Sequence, residues 1–131
     1  MGDFAQNGSV ATLHNFRTRT LEQVEDDLKL FAGYRPMELI LPSLYSELEG
    51  PALKEIVKHL GQVKYLNHII IGLDNADREQ YKYAYSFFKD LNQPFSLLWN
   101  DGPRMKAISD MLEDKGLAPL EPGKGQNVWY C

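Results

Sequence analysis

After residue 35, the positions of apolar and polar residues follow two periodicities in turn, and this alternation predicts secondary structure. Three short apolar runs, residues 37–41, 68–74 and 95–100, have the length of β-strands. Each run precedes a stretch in which apolar residues recur at the spacing of one helix face. These three sets are Leu53, Ile56, Val57 and Leu60; Tyr81, Ala84, Tyr85, Phe88 and Leu91; and Met105, Ile108, Met111 and Leu112. A β-α-β-α-β-α order with right-handed crossovers predicts an α/β fold, a three-layer open sheet of mainly parallel strands with crossover helices.

Residues that start and stop regular structure lie between these runs. Pro42 is predicted to end the first strand, because proline has no N–H for a sheet ladder. Gly50 and Pro51 are predicted to begin the first crossover helix, where the missing donor costs nothing. The β-branched run 69–71 is typical of a strand buried on both faces, as in a parallel sheet. Gly116 is predicted to end the third crossover helix.

The first 35 residues have a different pattern. Residues 1–15 are polar and small without periodicity, which predicts an arm or a loop. Thr20 and Gln23 have the spacing of a capping box. The helix predicted after them carries apolar Leu21, Val24, Leu28 and Phe31 and ends at Gly33. We therefore predict one domain over residues 1–131, with the arm and helix in 1–35 and the β-α unit in 36–131.

Composition argues against several classes of protein. The chain has 131 residues, the size of one domain, and its 44% hydrophobic and 24% charged residues are typical of globular proteins. The net charge of −4 argues against a nucleic-acid partner. The sequence contains no run of about 18 apolar residues, so we predict no membrane span. It also shows no signal-peptide pattern. The single cysteine, Cys131, allows no disulfide within one chain, so we expect a cytoplasmic location.

Three loops of this sequence resemble loops of a known enzyme family. Ligands of open α/β sheets bind beyond the carboxyl ends of the strands, which points first to the loop after the first strand. Residues 41–47, Leu-Pro-Ser-Leu-Tyr-Ser-Glu, resemble the Leu-Pro-Ala-Leu-x-x-Glu loop of nucleotide-sugar glycosyltransferases with the GT-A fold. Residues 72–77 resemble the family's Asp-Ser-Gly-Ser-Thr-Asp turn, with Asp77 shared and Gly72 in place of the first acid. Gly-Lys-Gly at 123–125, followed by Asn-Val-Trp, resembles a third family motif in order and spacing.

The resemblance covers nearly the whole chain, and it is greatest to retaining glucosyl-3-phosphoglycerate and glucosylglycerate synthases. It implies a donor-nucleotide site formed by Pro42, Ser43, Leu44, Glu47, Leu73, Asp74, Gly123, Lys124 and Gly125. In this interpretation main chain at the first three residues forms a floor for the base, and Glu47 accepts from a ribose hydroxyl. Backbone at Leu73 and Asp74 contacts a uracil. Lys124 meets the diphosphate, and its flanking glycines let the backbone approach a phosphate.

Each of these features also has a purely structural interpretation. Glu47 can be a solvated loop acid, and Asp77 can be a helix N-cap. Residues 123–125 can be a surface loop of no particular function. Arg104 is the nearest rival cation to Lys124, but it begins a helix after Pro103, where it can face solvent.

The family binds its divalent metal through an Asp-x-Asp pair on a further strand, and no strand-end Asp-x-Asp occurs in this sequence. We expect Mg²⁺ or Mn²⁺ to bind through residues outside the chain, and we assign no metal ligand and no catalytic residue within it. The three histidines lack zinc-site spacing. The chain is therefore interpreted as the N-terminal, donor-binding part of a truncated GT-A fold, incomplete at its C-terminus. The resemblance implies that the intact enzyme transfers a hexose, glucose, from a UDP- or GDP-sugar to 3-phosphoglycerate or glycerate. We expect the chain alone to be inactive.

A second function class stays open at this stage, a non-enzymatic doubly wound module with a regulatory or protein-interaction role. An acidic pocket at the end of the first strand would favour a receiver-like module, but residues 39–41 are apolar and lead directly into Pro42. Nucleotide binding separates the two classes. The sequence does not choose the sugar, the acceptor or the oligomeric state, and a homodimer stays among the alternatives.

Overall fold

The computed structural model describes residues 19–117 and 121–131, so the predicted arm at 1–15 lies outside the described residues. The strands are β1 (Met37–Leu44), β2 (Leu66–Asp74) and β3 (Phe95–Trp99). The helices are α1 (Leu21–Ala32), α2 (Pro51–Leu60), α3 (Arg78–Phe88), α4 (Pro103–Asp114) and α5 (Lys124–Tyr130). Two short 3₁₀ turns, Tyr45–Glu49 and Lys89–Leu91, follow β1 and α3.

The three strands form one parallel sheet in the order β1-β2-β3. Leu39 of β1 lies opposite Ile69 of β2, and Ile69 lies opposite Phe95 of β3. Consecutive parallel strands require a crossover between them, and α2 and α3 supply these connections. The predicted α/β open sheet of parallel strands is confirmed.

Strand β1 is longer than the sequence analysis predicted. It continues through Pro42 to Leu44, and Pro42 lies opposite Gly72 in the parallel register. The prediction that Pro42 ends this strand is therefore wrong. The reason is tertiary: β1 is an outer strand of the sheet in the described part of the chain, and an outer strand accommodates a proline because one side of it has no ladder.

Side chains of β2 alternate between two different environments. Ile69, Ile71 and Leu73 are fully buried on one face of the sheet. They share a core with Val57 of α2 and Phe88 of α3. Fully burying one such aliphatic side chain stabilises the fold by about 1.5–3 kcal/mol, so this face carries much of the stability. Because strand residues alternate, Gly72 points to the opposite face, where α5 lies against β1 and β2.

The helix boundaries follow the predicted local signals. Thr20 caps α1 and Asp77 caps α3, each in a reciprocal capping box with the glutamine three residues later. Pro51 and Pro103 occupy the first turns of α2 and α4, where their missing N–H has no helical partner to lose. The helix start at Asp77 is therefore confirmed as a structural role of that residue.

Several helix faces that are apolar in sequence are not buried in the described part of the chain. Helices α1 and α4 contain no buried residue, and Phe31, Met111 and Trp129 are about half exposed or more. The predicted apolar stripe of α4 is present, but no layer of the described residues covers it. None of the described helices is both long and apolar enough to cross a membrane.

Candidate functional site

A cavity of about 520 Å³ opens where the carboxyl ends of the three strands meet the first turn of α5. Seven of the nine predicted site residues line it, and the sequence separates these seven by up to 82 positions from Pro42 to Lys124. Leu73 and Gly125 do not line the cavity. The lining residues are Pro42, Ser43, Leu44, Glu47, Asp74, Asn75, Asn100, Asp101, Lys106, Ser109, Pro122, Gly123, Lys124, Gln126, Asn127 and Tyr130.

The loop after β1 is held by the carboxylate of Glu47. Its Oε2 accepts a hydrogen bond from the backbone N–H of Leu44 at 3.0 Å and from the hydroxyl of Ser43 at 3.2 Å. Ser43 is buried, whereas Glu47 is exposed. Both bonds use one oxygen, so Oε1 keeps its acceptor sites. Glu47 thus organises the loop and can still accept a hydrogen bond from a ligand.

Asp74, the last residue of β2, is held from two sides by side-chain amides. Asn100 Nδ2 donates to Asp74 Oδ1 at 2.6 Å, and Asn127 Nδ2 donates to Asp74 Oδ2 at 2.9 Å. These two hydrogen bonds, one to each oxygen, fix the orientation of the Asp74 carboxylate. Leu73 as a whole residue is 0% exposed, so neither its side chain nor its backbone borders the cavity, and the uracil contact expected from its backbone is not available in this structure.

The turn after β2 is tied to the end of β3. Asp101 Oδ2 accepts from the backbone N–H of Ala76 at 3.1 Å, and the indole N–H of Trp99 donates to the Ala76 carbonyl at 2.7 Å. Asn75 lies beside this turn with a positive φ of 56°, a conformation that asparagine tolerates better than most residues. The two strand ends therefore form one hydrogen-bonded wall of the cavity.

The first turn of α5 forms the wall next to β1 and β2. Gly123 has a φ of 149°, which side chains rarely permit, and the helix begins at Lys124. Lys124 and Gly125 are thus in a helix and not in a surface loop. Gly125 is exposed, and a Cβ added to it meets no atom within 4 Å. The hydroxyls of Ser109 and Tyr130 lie 2.9 Å apart and join α4 to α5, and both residues line the cavity.

Charged groups of both signs face the cavity. Glu47, Asp74 and Asp101 supply the carboxylates, and Lys106 and Lys124 supply the cations. Neither lysine forms a salt bridge with a described residue. Arg104, considered from the sequence as the rival to Lys124, does not line the cavity. Lys106, two residues further along α4, lines it instead. The thiol of Cys131 has a raised pKa, because burial and then the charge of Asp74 disfavour its thiolate.

Sequence reasoning missed several residues of this site. Asn100 and Asp101 were not among the predicted site residues, although they follow β3 at the same edge of the sheet as the other candidates. Lys106 and Asn127 lie in helices, where no local signal marks a residue that faces a cavity. In the described part of the chain no three His, Cys, Asp or Glu side chains are close enough together to hold a metal ion.

An open parallel sheet with a polar cavity across the carboxyl ends of its strands defines the class of protein, an α/β protein with the site geometry of ligand-binding open sheets. The chain is 44% identical over 129 residues to a curated glucosyl-3-phosphoglycerate synthase of Persephonella marina (strain DSM 14350 / EX-H1). It is 38% identical over 130 residues to one of Methanococcoides burtonii (strain DSM 6242 / NBRC 107633 / OCM 468 / ACE-M).

Each alignment includes 98% of this chain, whereas the chain spans only 32% of the length of either relative. No family model matches the chain, and no solved structure matches it. The resemblance predicted from the three loops is confirmed to this extent: the chain resembles an N-terminal part of glucosyl-3-phosphoglycerate synthases.

Proposed function

We propose that this chain is the donor-binding part of a glycosyltransferase that moves a hexose, glucose, from a nucleotide diphosphate sugar to 3-phosphoglycerate or glycerate. One observation carries the proposal. The three stretches that resemble glycosyltransferase loops are far apart in sequence, and they border a single cavity. The similarity to two glucosyl-3-phosphoglycerate synthases supports the same reaction class.

The two ends of the cavity suit the two ends of a donor nucleotide. Backbone at Pro42, Ser43 and Leu44 borders the base, and the free Oε1 of Glu47 accepts from a ribose hydroxyl. Backbone at Asp74 completes this nucleoside end, whereas Leu73 is buried behind it. Across the cavity, Lys124 after Gly123 meets the diphosphate, because a charge-assisted contact to a phosphate is among the stronger hydrogen bonds. The exposed Gly125 contributes helix backbone behind Lys124 and no direct contact.

The cavity has a suitable size for this ligand. A volume of about 520 Å³ lies within the range of about 300–1,000 Å³ that is typical of small-molecule sites. Its mixture of carboxylates and lysines matches a ligand with hydroxyl and N–H donors at one end and negative charge at the other. A purely anionic or purely apolar ligand would leave one of these groups without a partner.

On this proposal, the divalent metal and the acceptor are bound by residues outside this chain. Among the described residues no three His, Cys, Asp or Glu side chains are placed to hold a metal ion, and we assign no ligand of Mg²⁺ or Mn²⁺ to this chain. No step of the reaction is therefore assigned to a metal held by this chain. On this proposal the chain binds the donor but lacks turnover alone.

Calorimetric titration with UDP, GDP and uridine tests the proposal. UDP or GDP should bind, and uridine should bind more weakly than UDP because it lacks the charged diphosphate. The choice between UDP and GDP identifies the donor base. Indifference to all three ligands at millimolar concentration would contradict the proposal and favour a non-enzymatic α/β module.

A further inference from the structure

Asn127 is one of two polar residues, with Ser43, that are buried in the described part of the chain, and it is 2% exposed. Burying an amide without hydrogen-bond partners is destabilising, because the group gives up its hydrogen bonds to water. Here every hydrogen-bonding group of the side chain has a partner. Nδ2 donates to the Gly72 carbonyl and to Asp74 Oδ2, both at 2.9 Å, and Oδ1 accepts from the Cys131 thiol at 3.8 Å.

The close approach of Asn127 to β2 depends on the glycine opposite it. A Cβ at position 72 would lie 1.7 Å from Asn127 Oδ1 and 2.8 Å from Cys131 Sγ. Gly72 therefore gives room for the amide, and α5 rests directly on the backbone of β2. This contact fixes the position of α5 against β2.

Asn127 connects to both ends of the proposed ligand. Through Nδ2 it orients the Asp74 carboxylate at the nucleoside end of the cavity. Its backbone N–H donates to the Gly123 carbonyl at 3.0 Å, which closes the first turn of α5. Lys124 lies three residues before Asn127, so the two share one side of the helix. Movement of Asn127 would displace Asp74 and Lys124 together.

We propose that Asn127 is a positioning residue for the donor nucleotide, one that holds the Asp74 carboxylate and the first turn of α5 in a single binding-competent arrangement. This inference rests on the proposed function. A positioning role differs from a role in folding alone in what it predicts. A folded variant should bind the nucleotide more weakly, and the loss should depend on the charge at positions 127 and 74.

Asn127→Asp provides the test, because it keeps the shape of the side chain and replaces the donor to Asp74 by an oxygen. Two carboxylates at hydrogen-bond distance repel when both are ionised, and one of them then has a raised pKa. At lower pH a shared proton restores a donor between the two oxygens. The titratable and charged groups that also face this pair are Glu47, Asp101, Lys106, Lys124 and Cys131.

The measurement is the Kd for UDP and for uridine, on the full-length polypeptide, expressed as the ratio of variant to unmodified protein at each pH. We expect Asn127→Asp to weaken UDP binding by roughly 10-fold or more near pH 8. The ratio should fall to about 3-fold or less near pH 5.5 as the pair takes up a proton. Uridine should lose affinity as well, because Asp74 lies at the nucleoside end.

Asn67→Asp is the matched control. It makes the same change of charge at an exposed position near the start of β2, outside the cavity. Its ratio should stay near one at both pH values. Thermal unfolding of each variant without ligand shows whether it is folded at the pH of the titration.

If Asn127→Asp does not fold near pH 8, Asn127→Ser replaces it, since a serine hydroxyl is too short to reach Asp74 and carries no charge. It should weaken UDP binding by a similar factor with no dependence on pH. A folded Asn127→Asp or Asn127→Ser that binds UDP as Asn67→Asp does would overturn the inference while leaving the proposed function in place. Unmodified protein that binds no UDP would overturn the proposed function and this inference with it.

Discussion

The indole of Trp99 stacks on the ring of Tyr81, with ring centroids 5.2 Å apart and planes inclined by 16°, while its N–H donates to the Ala76 carbonyl. The end of β3 is thereby joined to the start of α3 and to the turn after β2. Gly102 lies against the same indole, where an added Cβ would be 2.7 Å from a ring carbon. One aromatic side chain thus fixes the turn that borders the cavity.

Trp99→Phe should destabilise the protein by about 0.5–1.5 kcal/mol from the lost hydrogen bond, with some further loss from the smaller ring. The free energy of unfolding from urea denaturation measures it. Trp129→Phe is the control, because Trp129 is 54% exposed. Its effect should be within about 0.5 kcal/mol, as for most surface substitutions. Equal effects of the two substitutions would contradict the role assigned to the Trp99 N–H.

The two lysines of the cavity should differ in their contribution to nucleotide binding. Lys124→Ala removes a charge-assisted contact and should weaken UDP binding by roughly 10- to 150-fold, with uridine hardly affected. Lys106→Ala removes an exposed charge on α4 that belongs to none of the three predicted loops, and we expect a loss of about 2- to 5-fold for UDP. Calorimetric titration of both ligands measures the difference.

Lys115→Ala is the control for both lysines, because Lys115 caps the far end of α4 and does not line the cavity. It should leave the Kd for UDP unchanged. Equal losses for UDP and uridine on Lys124→Ala, or no loss for either, would assign Lys124 to the surface and not to the diphosphate.

The parts of the fold that local sequence determines were predictable. The β-branched run at 69–71 predicted a strand of a parallel sheet buried on both faces, and β2 is the central strand of the described parallel sheet. Burial is complete on the face of Ile69 and Ile71, whereas Ile70 on the other face is only partly buried. Thr20 and Asp77 marked helix starts, because a capping side chain bonds only two or three residues along the chain. The loop after the first strand and the end of the second strand at Asp74 were predicted to border a site, since ligands of open sheets bind beyond the strand ends, and both border the cavity.

The remaining features depend on contacts between residues distant in sequence. Asn127 Nδ2 donates a hydrogen bond to the carbonyl of Gly72, which lies 55 residues earlier in the sequence. The sequence around either residue gives no sign of that contact. Gly72 stands where the resembling family has an acid, and its sequence neighbours give no reason for the glycine. The approach of Asn127 supplies that reason. The wrong prediction at Pro42 has the same origin. Whether a strand tolerates a proline depends on whether a neighbouring strand needs its N–H, and the local sequence does not show that β1 is an outer strand.

Glu47→Gln should separate the two roles of this side chain. Glutamine keeps a carbonyl oxygen that can accept from the Leu44 N–H, so the loop should stay intact and the free energy of unfolding should change by less than about 0.5 kcal/mol. With that oxygen in the place of Oε2, the amide NH₂ takes the place of Oε1, so a ribose hydroxyl loses its acceptor. UDP and uridine should therefore lose affinity by the same factor, about 2- to 10-fold.

Calorimetry with both ligands measures this effect, and Glu49→Gln is the control at an exposed position outside the cavity. A loss for UDP that is not shared by uridine would place Glu47 near the diphosphate instead of the ribose. An unchanged Kd for both ligands would leave Glu47 with its structural role alone.

Two glycines of the site should respond to alanine with opposite signs. At Gly72 the new methyl group would lie 1.7 Å from Asn127 Oδ1, so α5 or the amide must move. Overpacking of this kind typically costs about 1–3 kcal/mol. Gly125 lies within α5 with nothing near its missing Cβ, and alanine there should stabilise by about 0.5–1 kcal/mol through helix propensity.

Urea denaturation of Gly72→Ala, Gly125→Ala and the double variant Gly72→Ala/Asn127→Ala measures these effects. Truncating Asn127 removes the atom that the new methyl group meets, so the double variant should be destabilised by less than the sum of the two single substitutions. Asn127→Ala alone completes the cycle. Strict additivity would show that Gly72 and Asn127 do not interact, and it would remove the basis for treating the β2 end and α5 as one unit.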